Sequence, residues 1–276
     1  MHDANQVKKK LNLCLDQLEN NRHRYTLNPT KDFTHRRKIS FRDIMEITLG
    51  FAGKSLASEL MDYFDYDPQG ATVPAFVQQR DKVLPDAFRD LFDSFNQQFA
   101  YDYTYHGYRL LAVDGTDLLI PTDPLDQETY NNAQHVKGFN TLHINALYDL
   151  LNRVYLDVEV QPLRKANERT ALSEFIPRFV DKRRAIIIGD RGYGSYDLFA
   201  RFLEHSVRFL IRVSDSYVKT SFLSGISLPG KTFDIDFDRI LTRSQTKMVK
   251  ENPDIYKLLP SNTTFEWITR SEEHTS

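Results

Sequence analysis

The sequence predicts an α/β protein, in which a mixed sheet core with flanking helices follows an all-α N-terminal region and precedes the start of a mostly β insertion. Before residue 100, apolar residues recur at helical spacing. After it, short apolar β-branched runs alternate with helical patterns. We therefore expect a helical region at 1–100, the first part of the sheet core at 101–215, a β-rich segment at 216–269 and a separate tail at 270–276.

Apolar residues recur every three or four positions in five stretches of the N-terminal region, which predicts five helices: 7–18, 40–49 with Ser40 as N-cap, 54–64, 73–83 and 86–95. The last two are short and separated by Leu84 and Pro85, an arrangement that suits a helix-turn-helix. In that interpretation four polar residues face DNA: Gln78, Gln79, Arg80 and Lys82. A plain helical bundle with a polar outer face explains the same pattern.

The core pattern predicts three strands in a meander, at 108–113, 141–150 and 154–160. A helix at 167–179, a strand at 185–189, a helix at 195–205 and a strand at 207–213 follow. This is the ribonuclease H-like order, which places acidic residues on the first strand and just after the fourth. Clean alternation at 233–238 predicts a further edge or hairpin strand.

Two aspartates lie where these strands are predicted to end: Asp114 after the first and Asp190 after the fourth. Paired carboxylates at a sheet edge suit Mg²⁺ or Mn²⁺, and two such ions activate a nucleophile and stabilise a leaving oxygen in phosphoryl transfer. Asp114 is then the bridging ligand and Asp190 holds one ion. Arg191 is placed to meet a phosphate and Tyr193 to stack on a base. Asp117 is expected to shape the turn after the strand.

Composition excludes several classes of protein. No apolar run approaches the ~18–20 residues that cross a bilayer, and the N-terminus lacks the apolar stretch of a secretion signal. The single cysteine, Cys14, excludes internal disulfides and is expected as a small buried residue on a helix. We therefore expect a cytoplasmic protein. His106, His135 and His143 lack the i, i+4 spacing of a metal site and are expected to be structural or surface residues.

Charge is unevenly distributed along a chain whose net charge is only −2. Residues 1–40 carry nine Lys and Arg against four Asp and Glu, whereas residues 41–150 carry seven against seventeen. Residues 151–220 are basic again, with thirteen against nine. An acidic belt between basic regions fits carboxylates that gather metal beside phosphate-binding surfaces, and it fits ordinary solvated faces equally well.

A phosphatase of the haloacid dehalogenase type is the rival interpretation, because residues 113–116 resemble part of its Asp-x-Asp-Gly-Thr motif. In those enzymes the nucleophile lies two residues before the second aspartate, and Ala112 occupies that position here. A methyl group cannot attack phosphorus. The sequence therefore disfavours this reaction.

Several segments resemble DDE transposases of the insertion sequence 4 family: 110–116, 138–149, 166–171 and 189–196, with weaker matches at 53–60 and 75–80. The resemblance implies cut-and-paste DNA transposition, with Asp114 and Asp190 as the first two members of a catalytic triad. It implies Mg²⁺ as cofactor, and double-stranded DNA (terminal inverted repeats and target) as partner. It also implies a homodimer in a synaptic complex, which acts at the nucleoid of a bacterial-type cell.

The family's third acid is a late glutamate that follows a Tyr and an Arg and precedes a Lys at fixed spacing. No glutamate here has those companions, so we expect a C-terminally truncated chain. Residues 270–276 resemble the translation of a sequencing adapter, which supports that expectation. A catalytically dead remnant that only binds DNA is the second hypothesis.

Overall fold

The computed structural model describes residues 3–35, 37–132, 137–179, 184–214, 221–230 and 232–259. The chain forms two compact units, Met1–Tyr101 and Asp102–Ser276. We call them the helical unit and the sheet unit. Their division falls one residue after the predicted limit of the helical region.

The described part of the helical unit contains five α-helices: α1 (Ala4–Asn20), α2 (Phe41–Leu49), α3 (Leu56–Tyr63), α4 (Val73–Arg80) and α5 (Asp86–Asn96). All five were predicted. Helix α4 ends three residues early because the backbone beyond it bonds elsewhere: the Lys82 carbonyl accepts from the Leu27 amide, and the Leu84 amide donates to the Tyr25 carbonyl.

Local caps define where these helices begin. Ser40 caps α2 in a capping box, since its hydroxyl accepts from the Asp43 amide at 3.0 Å and the Asp43 carboxylate accepts from the Ser40 amide at 2.7 Å. Cys14 is fully buried on α1, as predicted, and packs in a cluster with Phe41 and Met45. A second cluster surrounds Ile44 and Phe76.

The sheet unit is built on a mixed sheet. Its main elements are β1 (Arg109–Ile120), β2 (Tyr130–Asn131), β3 (Phe139–Asp149), β4 (Val154–Pro162), α6 (Glu168–Arg178), β5 (Ala185–Gly189), α7 (Tyr196–Glu204) and β6 (Arg208–Ile211). The strands lie in the order β4-β3-β1-β5-β6, with the short β2 also on β3. Strands β1, β3 and β4 are antiparallel, and β5 and β6 run parallel to β1. The predicted ribonuclease H-like fold is confirmed.

Strand β1 is longer than predicted. It pairs with β3 from Leu111 to Ile120, whereas its pairing with β5 ends at Ala112. The prediction that this strand ends at Val113 is therefore wrong, and Asp117 lies within the strand rather than in a turn. Strand β3 continues to pair with β1 up to Ile120, after the pairing of β1 with β5 has ended at Ala112.

One face of this sheet carries the core. Apolar side chains of β1, β3 and β5 pack with α6 and α7: Leu111, Val113, Leu147, Leu172, Phe175, Ile176, Ile187 and Phe202. The regular alternation of β1 and β5 sets Val113 and Ile187 on this covered face. The residues that alternate with these along each strand project from the opposite face of the sheet.

The segment after the sheet contains β7 (Ile240–Thr242), α8 (Lys247–Glu251) and β8 (Tyr256–Leu258), with the two strands parallel. The predicted strand at 233–238 is wrong: these residues join no sheet, and Phe233 and Phe237 are exposed. His135 and the tail at 270–276 lie outside the described residues. No helix of the described chain is long and apolar enough to cross a membrane.

Candidate functional site

Asp114 and Asp190 lie just past the paired part of two adjacent parallel strands. The pairing of β1 with β5 runs from Arg109 opposite Ala185 to Ala112 opposite Ile188. Asp114 lies on β1 two residues past the last pair, and Asp190 directly follows the end of β5. The two residues are therefore at the same end of the paired strands. Both residues are exposed.

Each of these carboxylates has one oxygen bonded to nearby backbone. The Asp114 carboxylate accepts from the Gly115 amide at 2.9 Å. The Asp190 carboxylate accepts from the Gly192 amide at 2.6 Å and so begins the short turn Arg191–Tyr193. These bonds hold one oxygen of each carboxylate close to its own backbone.

A third carboxylate, which the sequence analysis did not single out, lies beside these two residues. Glu168 is the first residue of α6, and its oxygens lie 2.7 Å and 3.4 Å from the positions that a Cβ would take at Gly115 and Gly192. Only its place in the segment 166–171 pointed to it. Its approach to β1 depends on α6 folding back over the sheet, which no local pattern predicts.

His143 lies between the Glu168 carboxylate and Asp117 of β1. Its Nδ1 lies 2.7 Å from the Asp117 carboxylate, and its Nε2 lies 3.7 Å from Glu168 Oε1. The His143 Nε2 is buried and has no hydrogen-bond partner in the described part of the chain. Asp117 and His143 are directly opposite each other on β1 and β3, so the sheet register creates the contact. The predicted structural role of His143 thus includes a contact with the site.

Tyr193 is buried at 1% exposure beneath the same cluster. Burial raises the pKa of its hydroxyl, and the charges of Glu168, Asp114 and Asp190 raise it further. It has no hydrogen-bond partner within the described ranges. The prediction that Tyr193 stacks on a base is wrong, because a buried ring offers no face to a ligand.

The donor chemistry of the cluster suits a hard divalent cation, since carboxylate oxygens are the ligands that Mg²⁺ and Mn²⁺ prefer. As the side chains stand, no three His, Cys, Asp or Glu residues of the described segments form a ready ligand set. Asp114 and Asp190 stay the predicted ligands, and each has a second carboxylate oxygen besides the one that accepts from a backbone amide.

Basic side chains flank the cluster. Arg191 is exposed next to Asp190. Arg169 donates through Nε to the Gly192 carbonyl at 2.8 Å. A polar cavity of about 320 Å³ lies between α6 and α7 and is lined by Arg169, Ser195 and Arg201 among others. An anionic substrate that reaches the aspartates therefore meets positive charge on this side.

The four residues predicted to face DNA in the helical unit separate into two pairs. Gln78 and Arg80 are exposed on α4. Gln79 is buried at 7% exposure, and Lys82 is half-buried, with its Nζ 3.2 Å from the Gln79 amide oxygen and 4.0 Å from Asp32. The prediction for Gln79 is wrong because that residue lies on the inner side of α4.

The comparison with protein families fits this site and sheet. The transposase DDE domain matches residues 105–257, more than half of the chain, so the chain belongs to this family. The match begins before β1, ends within β8 and includes both aspartates.

Two solved transposase structures are similar at low levels. One is a piggyBac transposase synaptic complex with hairpin DNA, 16% identical over 78% of this chain, with a TM-score of 0.33. The other is a pre-cleavage Mos1 transpososome, 12% identical over 76% of this chain and 78% of that chain, with a TM-score of 0.24. This chain spans 43% of the piggyBac chain. No curated protein sequence matches significantly.

Proposed function

We propose that the chain carries the catalytic core of a transposase of the insertion sequence 4 type, which cleaves and joins DNA with divalent metal bound at Asp114 and Asp190. One observation carries the proposal: in a chain of the transposase DDE family, each aspartate lies two residues past the last paired residue of one of two adjacent parallel strands. Adjacent strands lie about 4.8 Å apart, which brings the two side chains within reach of shared cations.

The acidic residues of the proposed site bind cations, and the basic residues bind phosphate. Asp114 and Asp190 hold the cations, and bound Mg²⁺ or Mn²⁺ supplies activation of a water or 3′-hydroxyl and neutralises the leaving oxygen. Arg191 binds a phosphate beside the scissile bond, since it is exposed next to Asp190. Arg169 contributes a second positive charge from the start of α6 and is fixed there by its bond to the Gly192 carbonyl.

The partner is double-stranded DNA, bound at the terminal inverted repeats of the element and at the target. In this proposal Gln78 and Arg80 of α4 contact the DNA from the helical unit, because they are the exposed pair. The working form is a homodimer in a synaptic complex, located in the cytoplasm at the nucleoid.

The third acid of the triad stays a prediction, because no glutamate of the sequence has the Tyr, Arg and Lys companions that the family resemblance requires.

Cleavage of plasmid DNA that carries the ends of the element tests the function, with the wild-type chain and Mg²⁺ or Mn²⁺ present. We expect Asp114→Asn and Asp190→Asn each to reduce cleavage by more than about 100-fold, since outer-shell substitutions at metal sites already cost 10- to 100-fold. Glu174→Gln, an equal charge change on the exposed side of α6, should leave cleavage unchanged. Intact DNA with the wild-type chain, or full cleavage by both Asn variants, overturns the proposal.

A remnant that only binds DNA is the second candidate, favoured by the exposed Gln78 and Arg80 and by the lack of a glutamate with the Tyr, Arg and Lys companions in the sequence. It predicts gel-shift binding without cleavage. In that case Arg80→Ala should lower the salt dependence of binding by about one unit of slope.

The phosphatase interpretation is weaker. Ala112 stands at the nucleophile position, and β1 continues past Asp114 into antiparallel pairing with β3. Hydrolysis of a simple phosphate monoester by the purified chain, lost in Asp114→Asn, is the result that would revive it.

A further inference from the structure

The segment after the sheet contains a cavity that the proposed function does not use. It has a volume of about 390 Å³ and lies beside β8. Three basic residues line it, Arg239, Lys250 and Lys257, and its described lining contains no acidic residue. The cavity is therefore surrounded by an excess of positive charge.

Lys257 is the most buried of the three basic residues, at 8% exposure. Its ammonium group donates to the Ser221 carbonyl and to the Ser224 hydroxyl, both at 2.5 Å. An ammonium group has three N–H bonds, so one of them has no acceptor in the described part of the chain. Burial lowers the pKa of this group, and the charge of Arg239 lowers it further. The two acceptors are neutral and do not offset the charge.

The Arg239 guanidinium has a similar environment. It donates through Nη1 to the Phe222 carbonyl and through Nη2 to the Tyr256 carbonyl, both at 3.0 Å, and also to the Pro253 carbonyl. Its Nε is buried and has no hydrogen-bond partner within the described ranges. Asp254 is exposed and forms no ion pair with Arg239 in those ranges. The guanidinium charge is thus surrounded by neutral carbonyl groups.

Phe222 fixes the backbone of this region to α7. Its ring packs against Tyr196 and Phe199, with centroid distances of 4.6 Å and 5.1 Å. Its carbonyl accepts from Arg239, and the neighbouring Ser221 carbonyl accepts from Lys257. Both cations are therefore held in fixed positions by backbone groups, unlike the flexible lysines of a protein surface.

Two cations held beside one cavity are costly unless an anion offsets their charge. A charge that is removed from water loses hydration, and hydrogen bonds to neutral groups replace that hydration only in part. An oxyanion in the cavity accepts from the remaining N–H groups of Lys257 and Arg239 and meets Lys250 at the exposed edge. A phosphate group suits these donors because it combines negative charge with several acceptor oxygens.

We propose that the cavity beside β8 binds a phosphate group, held by Lys257 and Arg239 with Lys250 at its edge. The site is separate from Asp114 and Asp190, and the inference does not depend on their role. The phosphate is either a free anion or a backbone phosphate of bound DNA. The alternative role of the two cations is structural, in which they only join residues 221–224 to residues 253–257 through carbonyl groups.

Calorimetric titration of the full chain with inorganic phosphate, at constant ionic strength, tests for the site. We expect Lys257→Met to weaken phosphate binding by about 10- to 100-fold, the loss of one hydrogen bond to a charged group. Lys250→Met removes an exposed charge and should weaken binding by about 3-fold. The matched control is Lys247→Met on α8, which lies outside the cavity lining beside Glu251 and should bind like the wild type.

Titration with duplex DNA identifies the source of the phosphate. If DNA supplies it, Lys257→Met weakens duplex binding and lowers the salt dependence by about one unit of slope relative to Lys247→Met, whether or not free phosphate binds. If the ligand is a free anion, Lys257→Met loses phosphate affinity and binds DNA like the wild type. Either result supports the site and assigns its ligand.

Thermal unfolding in phosphate and in chloride, at equal ionic strength, completes the test. A bound phosphate stabilises the wild type, and Lys257→Met should lose that increase in unfolding temperature. A structural role predicts an equal loss of stability in both salts and unchanged affinity for phosphate and DNA, which overturns the inference. If Lys257→Met does not fold, Lys250→Met decides: unchanged binding of both ligands overturns the inference as well.

Discussion

The contacts that set the limits of helices in the helical unit join residues close in the chain, whereas those that set the limits of strands in the sheet unit join distant residues. Helix α2 begins at a capping box that joins Ser40 to Asp43, three residues apart. Strand β1 pairs with β5 at an offset of 76 residues, as in Arg109 opposite Ala185. The start of a helix is thus a local event, whereas the limits of a strand depend on a partner elsewhere in the chain.

The surroundings of two tyrosine hydroxyls differ between the units. The Tyr63 hydroxyl of the helical unit lies 2.8 Å from both the Asp43 and the Glu46 carboxylates, so its single proton has an acceptor. The Tyr193 hydroxyl of the sheet unit has no hydrogen-bond partner in the described chain. Unpartnered buried atoms also occur in the helical unit, at Glu19 and Thr26, so the lack of a partner does not by itself locate a ligand.

The largest stability effect should come from the buried ion pair of the sheet unit. Arg109 donates to Asp149 at 2.8 Å across 40 residues of chain, and the Asp149 side chain is fully buried. Arg109→Met leaves that charge without its partner, so we expect a loss of about 3 kcal/mol in the free energy of unfolding. Urea unfolding followed by circular dichroism measures it.

The matched substitution in the helical unit is Arg89→Met. Arg89 pairs with Asp93 four residues on, and both side chains are about 40% exposed. We expect a loss of about 0.5 kcal/mol, as for other exposed pairs. Equal losses in the two variants would contradict the view that long-range buried contacts stabilise the sheet unit.

An intermediate effect is expected at the cap of α2. Ser40→Ala removes the hydroxyl that accepts from the Asp43 amide, and loss of such a cap costs about 1 kcal/mol. Hydrogen exchange should show faster opening of α2 amides, with β1 and β3 unaffected. Faster exchange in β1 as well would show that the two units do not open separately.

The smallest effect concerns Tyr196 at the start of α7. Burial raises the pKa of this residue from 10.0 to about 12 in the folded chain, so its neutral form is favoured by folding. Its contribution to stability is full below pH 10.0 and is lost as pH rises toward 12. Tyr196→Phe should therefore reduce the loss of stability in that window and leave the pH dependence below it unchanged. Tyr155→Phe, at an exposed tyrosine on β4, is the control; an identical change in both variants would contradict the assignment.

Local patterns allowed accurate prediction of the helices and of the short buried strand β5. Ser40 as N-cap, Cys14 as a buried residue and the limits of β5 all follow from contacts within a few residues. The errors share one cause. The end of β1, the absence of a strand at 233–238, and the burial of Gln79 and Tyr193 depend on neighbours that are distant in the chain.

The sequence by itself identified the candidate residues: two aspartates after apolar strand patterns, in the order that the family resemblance implies. Only the tertiary structure decided that Asp114 and Asp190 lie at the same end of the paired strands β1 and β5, and that Glu168 and His143 approach the backbone next to Asp114. Strand pairing and the packing of α6 bring together residues separated by tens of positions. Side-chain periodicity reports on one element at a time, and it contains no information about the register between two elements.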